Sequence, residues 1–595
     1  MISDTNIFEL NNVQPDVNPM NSLPLVIAVT GHRDLKQSEL GPIKEKVATW
    51  LENLRERFPE RRLRVMSSLA EGSDQLVAEI ALRLGIELIV PLPMAKPAYI
   101  QDFEDPEAVE KFECLLQRST ESFVLLSSTH NALSQNSSLD WSDKDRQYAR
   151  LGVFLAAHCH ILLALWDGKN SDRPGGTGHV VQFHHDDELP GYADHSVSTN
   201  KMLVDDESDL IYHIVCSRDR PNGAPHSSLK LLDSFWFTKD ELNPRSHDLP
   251  TQHENIFRRS GEFSRDASRF ADQIEGHKQP LLDSDWPHAL AEGIADIDQL
   301  YCAADWLALR YQKATLSALR SIHVLAFIMG FMFILYSDLS PLLLYLALFI
   351  VAFVFASIVQ RVSHRNGWHR KYLDYRALAE GLRVQFYWAA AGIVSPHVSK
   401  FPHDSFLQLQ DPEIGWIRNV MRVAGTRVSA APQTDDTNLD ATIERWIGSD
   451  TNGQLGYFAK KTRDVLRRKR ITERLGKASL LSGVAVVFVF LIARDALPVE
   501  VRALLMIAMG TLLLIYAIRH SYSSSIAEKE LLRQFEFMLR VFRDSHRRIE
   551  SASTAQEKRQ ILLALGGSAL DEQAGWILTH RERSIDSAEL MEIGS

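Results

Sequence analysis

Four long apolar stretches in the second half of the chain constrain its fold more than any other feature. They contain no Asp, Glu, Lys or Arg and occupy positions 321–337, 339–360, 478–493 and 503–518. A helix needs roughly 20 residues to cross a bilayer, and arginine side chains at the ends of a shorter stretch can reach the headgroups. Buried helices of soluble bundles usually carry a polar stripe, which these stretches lack. The sequence therefore predicts an all-α membrane region with four transmembrane helices.

Charge at the ends of these stretches predicts their orientation. The stretches form two pairs, each joined by a short turn, near residues 337–341 and 494–502, so two hairpins are expected. Eight Lys or Arg residues against two acids lie between Lys461 and Lys477, and five against one lie between Arg361 and Arg376. The positive-inside tendency places such segments in the cytoplasm. Both termini are therefore predicted to be cytoplasmic, with only the two turns outside.

The two hairpins also resemble each other in their surroundings. An amphipathic basic helix precedes each one and another follows it, at an offset of about 157 residues, which is typical of an internal repeat. This organisation predicts a flexible leader over residues 1–22, a sensing domain over 23–250 and a helical linker over 251–304. The first repeat unit is predicted over 305–395, a linker over 396–440, the second unit over 441–550 and a cytosolic tail over 551–595.

Average composition conceals the membrane region and excludes several other functions. The mean hydropathy of −0.15 is that of a soluble protein, because a polar first half dilutes the four spans. A net charge of −11 argues against a nucleic-acid partner. The four cysteines show no C-x-x-C spacing, which argues against a zinc ribbon or a redox pair. No catalytic residues and no metal ligands are predicted, since the adjacent residues 184–187 (HHDD) are more typical of a solvated turn.

From Leu23 onwards, strands are predicted to alternate with helices. Apolar runs such as LPLVIAVTG and HILLALWDG read as buried strands, and the segments between them carry helical periodicity. This alternation predicts an α/β domain with a parallel sheet, in which ligands bind beyond the carboxyl ends of the strands. The Asp-, Ser- and Pro-rich segment from Asp186 to about Pro250 is expected to be a surface insertion around one strand.

Three of the predicted strand ends carry residues suited to binding a phosphate or a ribose. Glycines let the backbone approach a ligand, and the start of a helix offers free N–H groups to an anion. Neither a P-loop motif nor G-x-G-x-x-G follows the first strand, which disfavours nucleotide hydrolysis of the P-loop type and dinucleotide redox chemistry. The predicted nucleotide-binding residues are Thr30, Gly31, His32, Arg33, Ser68, Gly72, Ser73, Asp74, Asp167, Gly168, Gly175, Gly176, Thr177 and Gly178.

The motifs VTGHRDL, SSLAEGSDQLVAE, LLALWDG and PGGTG, in this order between Leu23 and Phe183, resemble the SLOG superfamily. That resemblance implies a Rossmann-like cytosolic domain that either processes or senses nucleotides. Enzymes of this group carry a glutamate within PGGxGTxxE, where this chain has His179 at the threonine position and Gln182 at the glutamate position. A glutamine amide does not titrate near neutral pH, so binding without catalysis is expected.

The second half is similar in architecture to the SLATT membrane effector domains, and YRALAEGLRVQFYW after the first hairpin contributes most to this similarity. The resemblance implies a multi-pass protein of the bacterial inner membrane that acts in anti-phage defence by abortive infection. A nucleotide-derived second messenger, such as a cyclic nucleotide or an ADP-ribose or NAD derivative, would trigger homo-oligomerisation or opening of the membrane region and disrupt the bilayer. A signal-producing enzyme encoded nearby is the expected partner, and no cofactor is expected.

Two other functions remain open at this stage. A membrane-anchored nucleotide hydrolase would act at the loop Gly175 to Gly178. A nucleotide-modulated ion channel would conduct ions constitutively, although few polar residues occur in the predicted spans. Turnover of nucleotides would identify the first, and leakage from liposomes without any nucleotide would identify the second.

Overall fold

A computed structural model of the whole chain was analysed. It describes residues 23–125, 142–170, 175–186, 209–239, 244–284, 286, 288–393, 406, 412–430, 437–493 and 497–592. The chain forms two compact units, which are described separately. The sheet unit comprises residues 1–279 and 395–432, and the helical unit comprises residues 280–394 and 433–595.

The sheet unit is built on eight strands in the order β4-β3-β2-β1-β5-β6-β7-β8. The first six are parallel, whereas β7 pairs antiparallel with β6 and β8 antiparallel with β7. The strands are β1 (Pro24–Gly31), β2 (Arg62–Met66), β3 (Glu87–Leu92), β4 (Glu121–Val124), β5 (Ile161–Trp166), β6 (Ile211–Val215), β7 (Ser234–Phe237) and β8 (Arg245–Ser246).

Eighteen α-helices occur in the part of the chain that the structure describes. The sheet unit contains α1 (Leu40–Arg57), α2 (Ser73–Arg83), α3 (Lys96–Tyr99), α4 (Pro106–Gln117), α5 (Asp143–Ala157), α6 (Thr177–Asp186), α7 (Thr251–Arg269) and α8 (Ala271–His277). The helical unit continues with α9 (His288–Asp338), α10 (Leu343–Arg365) and α11 (Trp368–Ala390). The remaining helices are α12 (Trp416–Ala424) and α13 (Thr426–Ala430) in the sheet unit, then α14 (Thr437–Trp446), α15 (Gly453–Ala493), α16 (Val499–Ser525), α17 (Glu528–Ser551) and α18 (Ala555–Glu592) in the helical unit.

The predicted α/β region is confirmed as a mixed α/β sheet unit. All six residues of β5 are buried, as expected for a central parallel strand covered on both faces. The first helix, α1, buries Ile43, Val47, Leu51 and Leu54, whose spacing of three or four residues forms one apolar stripe. The apolar runs of the sequence thus become the core of this unit.

After Asp186, the predicted strand DLIYHIVCS is present as β6. The prediction that it belongs to a surface insertion is wrong for the part of that segment that the structure describes. Strand β6 pairs with β5 along its length, and Ile211 and Val215 have no exposed surface. Phe235 and Trp236 of β7 are also buried. Strands β6 to β8 therefore extend the sheet itself rather than adding to its surface, whereas most residues of the connection between β6 and β7 are exposed.

A second difference concerns the linker predicted over residues 396–440. The structure groups 395–432 with the sheet unit, and Trp416, Ile417 and Met421 are at most 1% exposed. The backbone carbonyl of Arg422 contacts Nδ1 of His158 at 2.9 Å, just before the start of β5. A surface linker would leave such side chains in water, whereas here they complete the core. The bounds of the other predicted domains stay predictions.

Four helical segments are long and apolar enough to span a membrane: Glu292–Asp338, Leu343–Ala390, Gly453–Ala493 and Val499–Ser525. They include three of the four apolar stretches in full and residues 343–360 of the second. Their apolar side chains are largely exposed, as on α10, where Ile350 is 60% exposed and Phe353 is 55% exposed. Such a surface is unfavourable in water and favourable in lipid, so these segments identify the chain as a membrane protein.

Small residues mark where these helices touch. A Cβ atom on Gly330 of α9 would lie 2.7 Å from a Leu514 side-chain carbon of α16, and one on Gly510 of α16 would lie 3.1 Å from Ile334 of α9. On α15, Gly483 faces Leu513 of α16 in the same way. Helices in membranes pack closely where glycine allows the backbones to approach. Helix α16 therefore lies between α9 and α15.

Candidate functional site

The candidate site lies where the carboxyl ends of β1, β2 and β5 meet at one edge of the sheet. Strand β1 pairs with β2 on one side and with β5 on the other. The chain builds outward from β1 through β2, β3 and β4, then returns to the opposite side of β1 as β5. This reversal makes β1 and β5 a topological switch point, and the space beyond their carboxyl ends, here called the crevice, is the usual ligand position in open parallel sheets.

At the end of β1, the segment Gly31 to Arg33 packs against the start of α2. The backbone N–H and the hydroxyl of Ser73 both donate to the carbonyl of His32, at 3.2 and 2.7 Å. A Cβ on Gly31 would lie 2.5 Å from Ser73, and one on Gly72 would lie 2.2 Å from the carbonyl oxygen of Arg33. The two glycines are therefore required for this close approach.

The loop after β2 holds a buried carboxylic acid. The Ser68 hydroxyl donates to Asp74 at 2.7 Å, and both side chains are buried beneath Tyr99, whose hydroxyl lies 3.4 Å from that of Ser68. Burial raises the pKa of Asp74 to about 6, although the hydrogen bond from Ser68 and the charge of Arg33 oppose the rise. Leu69, in the same loop, has a φ of +58°, a strained conformation that clusters at functional sites.

On the other side of the crevice, His32 contacts Asp167 at the end of β5. Its Nε2 lies 3.1 Å from both the backbone nitrogen and Oδ1 of Asp167, so the tautomer determines whether it accepts or donates there. Burial opposes ionisation of Asp167, yet His32 and the N–H of Lys169 outweigh it and hold the pKa of Asp167 below its usual value. Gly168 follows with a φ of +77° and packs against Leu229.

Arg33 is exposed and extends to a polar cluster on α5. Its Nη2 donates to the hydroxyl of Tyr148 at 3.2 Å, and its guanidinium lies 5.5 Å from the centre of that ring. Tyr148 in turn donates to Asp102 at 2.6 Å, and Lys144 forms an ion pair with the same carboxylate. Burial, together with the hydrogen bond to Asp102, raises the pKa of Tyr148 to about 12, so the phenol stays protonated.

The glycine-rich loop before α6 reaches the same tyrosine. Gly175 has a φ of +70°, and a Cβ there would lie 3.0 Å from backbone atoms of Tyr148 and Ala149. The first turn of α6 starts at Thr177, and His179 and Val180 donate their N–H groups to Gly176. The start of α6 thus lies beside Tyr148, to which Arg33 is also bonded. Tyr148 therefore contacts Arg33 through its ring and hydroxyl, and the loop before α6 through its backbone.

The structure brings the predicted residues into one region but gives them two different roles. Thr30, Ser68, Ser73 and Asp74 are buried and use their polar groups within the protein or pair within the sheet. The exposed or half-buried residues, which a ligand can reach, are Gly31, Arg33, Gly72, Gly168, Gly175 and Gly176. At the start of α2 the Ser73 N–H already donates to the His32 carbonyl, and the acid Asp74 lies in the first turn, so an anion fits better at the start of α6. Ligand binding by these residues stays a prediction.

The sequence reasoning missed Tyr148, Asp102 and Lys144. Tyr148 and Lys144 belong to the first half of α5, which begins with a capping box formed by Ser142 and Asp145. The polar run DKDRQY was visible as an exposed helix start, but nothing in it indicated which loop it would face. Among the described residues, no group of three or more His, Cys, Asp or Glu side chains is placed to hold a metal ion.

The chain was compared with protein-family models, with curated proteins and with solved structures, and it matches none of them. The function must therefore be argued from the crevice and from the membrane segments themselves.

Proposed function

We propose that this protein is a membrane effector whose α/β unit, a Rossmann-like domain of the SLOG type, binds a nucleotide-derived second messenger. The four membrane-spanning helices form two hairpins of the SLATT type in the inner membrane of a bacterium, with both termini in the cytoplasm. Ligand binding drives assembly or opening of this region and disrupts the membrane, which aborts phage replication. A neighbouring gene supplies the enzyme that makes the messenger.

The convergence of Arg33, Tyr148 and the start of α6 carries this proposal. A guanidinium binds phosphate oxygens with a planar pair of donors, and the free N–H groups of a helix start add to it. Tyr148 supplies an aromatic ring to a base or ribose. The crevice therefore offers partners for a phosphate and for the base or ribose of a nucleotide.

The burial and hydrogen bonding of the acids Asp74 and Asp167 favour binding without catalysis. Asp74 is buried and bonded to Ser68, and Asp167 is buried against His32. The position that carries glutamate in related enzymes is Gln182, on α6. None of these groups is both exposed to the crevice and able to exchange a proton near neutral pH.

Coupling between the two units has a covalent basis. The chain passes from one unit to the other at residues 279/280, 394/395 and 432/433. Residues 395–432 belong to the sheet unit although they lie between α11 and α14 in sequence. A ligand that binds one state of the sheet unit more tightly shifts the helical unit by the difference in affinity, and three connections transmit that shift.

Binding is tested with the full-length protein in detergent. Cyclic dinucleotides, ADP-ribose and NAD are titrated by calorimetry against the native chain, Arg33→Gln, Tyr148→Leu and the control Arg258→Gln. Arg258 is 62% exposed on α7 and pairs with Glu254. We expect one probe class to bind, with at least about tenfold weaker binding in the first two variants, as for loss of one charge-assisted hydrogen bond.

Two results overturn the proposal. Equal binding by all four proteins places the ligand elsewhere, and turnover of the bound nucleotide identifies a membrane-anchored hydrolase instead. Glycine variants are unsuitable for this test. Gly31 and Gly72 are packed so closely that any side chain would disturb the fold before it reached a ligand.

A further inference from the structure

The packing of α16 between α9 and α15 gives the spans a common end rich in arginine. Arg320 is the last charged residue before the apolar run of α9, and Arg519 is the first after that of α16. The two helices pack antiparallel, since Arg320 meets Tyr522, and Gly330 meets Leu514. Both arginines therefore lie at the same end of the spans, at the level where lipid headgroups begin.

Arg519 is held at this level rather than extended into water. Its side chain lies along α15, where a Cβ on Gly476 would be 3.2 Å from its Cδ. The Nε of Arg519 is shielded from solvent and has no hydrogen-bond partner among the described residues. A guanidinium N–H that is shielded from water and has no acceptor raises the free energy of the protein, so we expect an oxygen atom of a ligand to accept from it.

The described surroundings of Arg519 supply hydrogen-bond donors, and the acids nearest in sequence already have partners. Arg320 Nε donates to the Tyr522 hydroxyl at 3.4 Å, and His323 Nε2 lies 3.4 Å from the Ser521 hydroxyl. Along the described chain, the acids nearest to Gly476 and Arg519 are Glu473 on α15 and Glu528 at the start of α17, and both have partners. Glu473 pairs with Lys469 at 4.0 Å, and Glu528 accepts from Ser523 at 2.7 Å. The local charge is therefore positive.

We propose that Arg519, Arg320 and Tyr522 form a binding site for the phosphate of an anionic phospholipid headgroup, at the junction of α9, α15 and α16. The guanidinium of Arg519 binds the phosphate with its planar fork, and Gly476 leaves room for the arginine stem. The acyl chains lie along the exposed apolar faces of the spans. Basic pockets between transmembrane helices bind anionic lipids in this manner. The inference rests on the membrane insertion that the proposed function includes.

The test measures the thermal stability of the full-length protein in neutral detergent. Short-chain phosphatidylglycerol, phosphatidylcholine and inorganic phosphate are titrated separately, and Tm is followed by intrinsic fluorescence. The variants are Arg519→Gln, the conservative Arg519→Lys, Arg320→Gln and the control Arg467→Gln. Arg467 is an exposed base on the same helix as Gly476, ten residues before Lys477 and so about 15 Å from the span.

We expect phosphatidylglycerol to raise Tm more than phosphatidylcholine for the native chain and for Arg467→Gln. In Arg519→Gln and Arg320→Gln the midpoint concentration of phosphatidylglycerol rises about tenfold. The midpoint concentration for Arg519→Lys is expected to lie between those of the native chain and Arg519→Gln, because lysine keeps the charge but lacks the planar guanidinium. If Arg519→Gln does not fold, the other two variants decide the outcome.

An unchanged phosphatidylglycerol response in Arg519→Gln or Arg320→Gln overturns the site. A Tm shift of equal size with inorganic phosphate assigns it to free phosphate and overturns the lipid. Failure of this inference is distinguishable from failure of the proposed function, because fractionation shows separately whether the protein sediments with membranes. A membrane-bound protein without lipid preference contradicts only the site.

Discussion

Strand β5 and helix α10 are both runs of apolar residues, yet the protein treats them in opposite ways. Every residue of β5 is buried within the sheet unit. On α10 only Ala352 is buried, and large side chains such as Ile350 and Phe353 face outward. Apolar surface is stable only away from water. Folding removes the apolar surface of the sheet unit from water. The apolar surface of the helical unit stays exposed after folding and is removed from water only by the bilayer.

The largest expected effect tests whether the apolar surface of α10 lies in the bilayer. Ile350→Arg puts a charge near the middle of the α10 span, where insertion costs about 2.5–3.5 kcal/mol per arginine. We expect the variant to be lost from the membrane fraction or degraded, as measured by fractionation and immunoblotting. The control is Leu231→Arg in the sheet unit, where the leucine is 40% exposed. Unchanged partition of Ile350→Arg would mean that α10 faces water.

The next effect is on the sheet unit and tests whether 416–424 belongs to its core. Ile417→Ala removes a fully buried side chain and is expected to lower the free energy of unfolding by about 2–5 kcal/mol. Urea denaturation, followed by the fluorescence of the sheet unit, measures it. Arg427→Ala on α13 is the matched control, since it removes an exposed pair with Glu121 and no buried apolar side chain. A cost below about 1 kcal/mol for Ile417→Ala restores the linker interpretation.

A smaller and pH-dependent effect comes from Asp74. Its pKa is about 6 in the folded protein and about 3.9 when unfolded, so the folded state binds the extra proton between these values. Stability contributed by this group is present below about pH 4 and is lost as pH rises to 6, by up to about 3 kcal/mol. The difference in unfolding free energy between the native chain and Asp74→Asn should change over this range. A constant difference would mean that Asp74 titrates normally.

The sequence predicts the spans and the central strands because each rests on a continuous run of similar residues. It predicts β6 from DLIYHIVCS but neither its place in the core of the sheet nor β7 and β8, because the polar loops around these strands give no sign of their pairing partners. It also hides α12, whose Arg418, Asn419 and Arg422 make a buried helix look like a surface segment. Membership of a core depends on contacts made far along the chain, which local composition does not encode.

The candidate site divides in the same way. Glycine turns at strand ends identify the crevice, because close backbone approach restricts the residue type. The half-buried partners Tyr148 and Asp102 come from α5 and from the loop after β3, and only folding brings them to Arg33. Ser73 and Asp74 form hydrogen bonds within the protein, so they support the loops and do not bind a ligand. A sequence shows which residues are suited to binding, but their exposure decides which ones bind.

The central claim is that a nucleotide bound in the sheet unit changes the state of the membrane helices. Its most direct test is release of an entrapped dye from liposomes that contain the full-length protein, with and without the nucleotide that binds best. We expect rapid release with the nucleotide, little without it, and none above background in Arg33→Gln. Equal release with and without nucleotide, or unchanged release in Arg33→Gln, would contradict the account.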